Sequence, residues 1–167
     1  MGVITKQPTA NQTPDAGQGG SAVTSATNTG HASTLSAALA GGNTTTRTCR
    51  WSGFENVGGS RSSVKLIFDW NQNGDVSNGS SNQFRVQYSI NGGSNWNSVF
   101  DHQQFQGSSS NNGEEVILSN SQDLSQVQIR DLMSVTSTAE EAASMTATVS
   151  NIKIEVVIRS GGVIVCD

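Results

Sequence analysis

The order of apolar and polar positions along the chain is that of short β-strands. In Val64-Lys65-Leu66-Ile67-Phe68-Asp69-Trp70, the residues Val64, Leu66, Phe68 and Trp70 fall on one face, with Lys65 and Asp69 on the other. Successive side chains of a pleated strand point to opposite faces, so a period of two marks a half-buried strand. Phe84, Val86, Tyr88 and Ile90 repeat the pattern against Arg85, Gln87 and Ser89. Asn91-Gly92-Gly93 follows, and these residues tolerate the positive φ of a tight hairpin, which predicts Trp96 to Phe100 as the return strand. Thr44 to Phe54, Glu115 to Leu118, Leu124 to Leu132, Met145 to Val149 and Ile152 to Ile158 read as further strands. Asn71 to Asn82 and Gly107 to Gly113 read as polar loops, and Thr138 to Ala143 as a helical turn or bulged loop. Ser33 to Leu39 fits a strand or one helical turn equally. No amphipathic helix and no fixed repeat interrupts the series. About seven to nine strands with polar turns predict an all-β fold, a single β-sandwich or jelly roll.

Composition adds one division. Only 34% of residues are apolar and 13% charged, and both prolines lie within the first fourteen positions. Residues 1–30 hold few large apolar side chains and cannot by themselves offset their ordering entropy. They predict an extended N-terminal arm, with 31–167 as the sandwich domain. Val3, Ile4 and Pro8 are the arm's candidate anchors to a neighbouring subunit. Val163, Ile164 and Val165 are a second candidate contact, since an apolar end left as a bare strand edge invites pairing and hence a homo-oligomer.

Charge excludes some partners. Nine Lys plus Arg in a chain of net charge −4 give no basic stripe for nucleic acid. No apolar run is long enough to span a bilayer, and the first residues lack the apolar core of a secretory signal. The expectation is a protein made in the cytosol. Cys49 and Cys166 lack metal-ligand spacing, and two reduced thiols are expected over a bridge.

Candidate chemistry is sparse. Asp69, Asn71, Asn73 and Asp75 place oxygen ligands at alternate positions around Gly74, like the opening half of a calcium loop, although Ser80 stands where a bidentate Glu is needed. No cofactor is therefore expected, with calcium the alternative. Ser89-Ile90-Asn91-Gly92-Gly93-Ser94-Asn95-Trp96 resembles the Asp-box hairpin of sialidase-type propellers, a structural motif in which a side chain caps the turn and the Trp packs beneath. Trp51 is the least constrained tryptophan and the candidate platform for a glycan. His31 and His102, the adjacent Asp101, and the pairs Glu114-Glu115 and Glu140-Glu141 form no converging set, so an enzyme is not expected.

Several stretches together resemble small β-sandwich structural proteins of tailed bacteriophages: Val3-Ile4-Thr5-Lys6-Gln7-Pro8-Thr9-Ala10-Asn11, His31-Ala32-Ser33 through Leu39-Ala40-Gly41, Thr44 to Phe54, the Ser89 to Trp96 hairpin, and Ser150 to Val156. The sequence departs from that pattern at Gly58-Gly59-Ser60-Arg61. The resemblance implies a virion component assembled in a bacterial cytoplasm, a capsid decoration or cement protein, or a tail or baseplate component. Its partners would be capsid or tail proteins; a glycan-binding adhesion module is the reading from another class.

Overall fold

In the computed structural model, which describes residues 2–12, 29–37, 42–76 and 79–159, the alternation read from the sequence becomes alternating burial. Thr45, Arg47, Cys49 and Trp51 point inward, as do Val64, Leu66, Phe68 and Trp70, and every other residue from Ile129 to Val135. The strands are β1 (Gly2–Lys6), β2 (Ala10–Gln12), β3 (His31–Ala37), β4 (Thr44–Ser52), β5 (Arg61–Asp75), β6 (Ser81–Ser89), β7 (Asn97–Gln103), β8 (Gly107–Leu118), β9 (Gln128–Thr136) and β10 (Ala143–Ile158). A single 3₁₀ turn, Leu124–Gln126, precedes β9, so Leu124 enters the core from a turn rather than from a strand.

The strands form two antiparallel sheets. In the first, which we call sheet A, β10 and β5 are central and β8 is the edge; β1 and β3 share the far side of β10. β3 takes Ala143–Val149 and β1 takes Ile154–Ile158. Sheet B runs β2-β4-β9-β6-β7. With β1 and β2 set aside, β3-β10-β5-β8 faces β4-β9-β6-β7, and the chain changes sheet at every connection except the β6–β7 hairpin. This winding is a jelly roll. Trp51, Phe54, Leu66, Phe68, Phe84, Ile129, Met133, Ile152 and Ile154 fill the space between the sheets.

Three segments differ from the expectation. Asn71 to Asp75 is not loop but the continuation of β5, and Gly107 to Gly113 is the first half of β8 paired to it. Polar uncharged residues have weak strand preference, yet β5 is bracketed by β10 and β8, and ladder pairing on both sides overrides it. The segment 2–12, expected within an extended arm, forms strands in both sheets of its own chain. Thr9 N donates to Ser52 O at 3.2 Å, Thr9 Oγ1 to Gly53 O at 2.7 Å, and Lys6 Nζ meets Glu55 Oε2 at 2.6 Å. Main-chain pairing, which needs no apolar side chains, orders what composition leaves loose.

Candidate functional surfaces

Asp69 is the hinge point of sheet A. Two β-bulges flank it: on β10 the register skips from Ser150 to Lys153, and on β8 from Asn111 to Glu114. Gly113 and Asn151 adopt positive φ there, 76° and 54°. Gly113 N donates to Asp69 Oδ1 at 2.6 Å, and Asn151 Nδ2 to Oδ2 at 2.5 Å. One carboxylate thus holds both bulges, each of which leaves backbone groups outside the ladder.

The calcium reading is corrected by the same strand. Asp69, Asn71, Asn73 and Asp75 lie at alternate positions of extended β5, about 6.6 Å apart, whereas calcium gathers oxygens at about 2.3–2.6 Å. A straight strand cannot bend them onto one ion. Asn71 and Asn73 instead join Ser108, Ser110 and Thr146 around a shallow, uncharged trough of about 400 Å³ on the outer face.

The β6–β7 hairpin forms as predicted, capped by two side chains. Ser89 Oγ donates to Asn91 Oδ1 and accepts from Gly93 N, both at 2.9 Å, and Asn95 N donates to Asn91 Oδ1 at 2.9 Å. Trp96 packs on the outer face of sheet B, where the Arg130 guanidinium carbon lies 4.0 Å from its ring centroid. Trp51 is 0% exposed. Its place as a glycan platform is therefore corrected: it faces inward on β4 with Arg47 and Cys49, and no ligand reaches it without opening the core.

The N-terminal contact residues separate. Pro8 is buried. Val3 and Ile4 are 66% and 38% exposed on β1, and no strand among the described residues pairs with the free side of β1. Ile117, on the edge strand β8, is 78% exposed. Val163, Ile164, Val165 and Cys166 lie outside the described residues.

Several other titratable groups are engaged in packing, hydrogen bonds and ion pairs. His102 stacks on Phe100 with centroids 4.7 Å apart and stands edge-on to Trp70 at 5.2 Å. Asp101 points to the opposite face, as adjacent strand residues must. Burial pushes its carboxyl up, but hydrogen bonds from Gln83, Arg85 and Gln103, with the charge of Arg85, outweigh this and hold it below the ordinary value. Glu114 accepts from Trp70 Nε1 at 3.2 Å and from Asn111 Nδ2 at 2.7 Å. Glu115 pairs with Lys65 at 2.7 Å. Cys49 is a buried free thiol, pushed far up by burial and then by Asp131, with Arg47 opposing. Sequence reasoning missed the roles of Asp69 and Arg130, whose partners are distant in the chain and defined only by register. No family model matches the chain, and no curated protein matches it significantly.

Proposed function

We propose that this chain is a virion structural protein, a capsid decoration protein seated on the outer shell of a tailed phage, where it acts by assembly and not by catalysis. One observation carries the reading: β1 is an edge strand with a free side among the described residues and apolar Val3 and Ile4 exposed on it. A bare strand edge with exposed apolar side chains is a pairing hazard unless a partner covers it. The jelly-roll winding supports the reading by analogy alone, since viral capsid domains share it with lectins. A tail address rests on the same chemistry.

Because β1 belongs to the sandwich, deleting the N-terminus confounds assembly with folding. The cleaner test is Val3→Asp with Ile4→Asp, added as purified protein to particles assembled without the chain and imaged by electron microscopy. Wild type is expected to decorate the shell, and the variant to lose at least about tenfold in occupancy at an unchanged melting temperature. Decoration of the tail moves the address; equal decoration by the variant removes β1 from the interface.

A further inference from the structure

The outer face of sheet B holds a charge arrangement that the fold itself leaves open. Arg50 on β4 and Arg130 on β9 are direct cross-strand partners, and both alternate with buried neighbours, so both project from the solvent face. Like charges directly opposite each other destabilise a sheet. Neither meets a carboxylate among the described residues. The acid on that face, Asp101, is already engaged by Arg85 at 2.6 Å and by Gln83 at 2.7 Å. Arg130 feels the crowding: burial first, then the charges of Arg50 and Arg85, pull it below the usual arginine range.

Arg130 is nevertheless held in one orientation. Its guanidinium lies over Trp96, and its Nε donates to Gln87 Oε1 at 2.9 Å. That leaves the two Nη nitrogens without an acceptor among the described residues. The Arg50 side chain makes no hydrogen bond or ion pair with any described residue. A sheet gains nothing by juxtaposing two guanidinium groups and then orienting one of them, in a chain of net charge −4, unless an anion completes the set.

We propose that Arg50 and Arg130 form a receptor for the carboxylates of an acidic polypeptide segment on a partner protein. The guanidinium fork matches a carboxylate in two parallel hydrogen bonds. A nucleic acid is the poorer fit, because two uncompensated charges cannot track a backbone that carries one charge per about 1.7 Å in a duplex. An acidic sugar is also poorer, since the ring it would stack on is covered by Arg130 itself. This inference does not depend on the particle reading: it concerns a different face from β1 and is tested in solution.

The test titrates hexaglutamate peptide into the full chain at low salt, read by tryptophan fluorescence and by calorimetry. Trp96 reports directly, because an arriving carboxylate alters the guanidinium above it, and Trp96→Phe should abolish the optical signal. Binding is expected, weakening as salt rises. Arg50→Gln is expected to weaken it by about tenfold without lowering the melting temperature, whereas a purely structural arginine would lower it. Arg50→Lys should recover only part of the loss. Absence of hexaglutamate binding, unchanged affinity in Arg50→Gln, or equal binding of a DNA hexanucleotide overturns the proposal.

Discussion

The outer faces of the two sheets handle charge differently. On sheet A three charges of the central strands close within the sheet: Lys65 on Glu115 at 2.7 Å, Lys153 on Glu155 at 2.8 Å, and Asp69 on its two bulges. Apart from Asp75 at the exposed end of β5, what stands outward there without a charge partner is largely apolar or neutral: Val3, Ile117, and the Asn and Ser trough. On the outer face of sheet B, Arg85 is neutralised by Asp101, while Arg50 and Arg130 confront each other with no carboxylate partner among the described residues. The difference separates groups that build the fold from groups that the fold tolerates. A substitution in a closed contact, such as Asp69 or Lys65 on sheet A or Asp101 on sheet B, should therefore be felt in stability, and one in the unpaired Arg50–Arg130 set in binding.

The largest stability effect should come from Asp69→Ala. It strips the acceptor from the Gly113 amide and the Asn151 carboxamide together, and a loss of about 2 kcal/mol is expected in urea unfolding. A change within about 0.5 kcal/mol would mean that the bulges hold without their clamp. Next is a pH effect on sheet B. The Asp101 carboxyl is lowered in the fold, so its contribution is present above the ordinary carboxylate value and is lost as pH falls through the folded value. Asp101→Asn should flatten the acid limb of the stability curve below about pH 4. The pair is largely solvated, so the amplitude should stay under about 1 kcal/mol. Smaller again is Lys65→Ala, an exposed ion pair whose removal should cost about 0.5 kcal/mol or less and respond to salt. Smallest is Arg50→Gln, for which thermal melts should show no loss and a slight gain, because repulsion with Arg130 is relieved. A clear loss there would erase the contrast between the faces.

The architecture was legible where side chains alternate sharply. Val64 to Trp70 and Phe84 to Tyr88 carry enough apolar contrast to define both strand and facing, and the turn at Asn91-Gly92-Gly93 follows from its φ requirement. The polar halves of β5 and β8 were not legible. Asn71 to Asp75 and Gly107 to Gly113 look like loops in one dimension and become strands only through each other and through β10. The same blindness produced the calcium loop. Trp51 looked free because nothing in its neighbours' identities shows that the facing sheet closes over the core it lies in. The Arg50–Arg130 pair lies eighty positions apart in the chain, and only the β4–β9 register brings it together. Local periodicity carries facing; it carries no information about which strand stands opposite.

Whether the sandwich works as part of a particle is read most directly by quantitative mass spectrometry of purified virions from a lysate in which the chain is expressed. A fixed, stoichiometric number of copies per particle is expected for the wild type, with the Val3→Asp, Ile4→Asp protein at background. Wild-type chain abundant in the lysate but absent from the particles would contradict it.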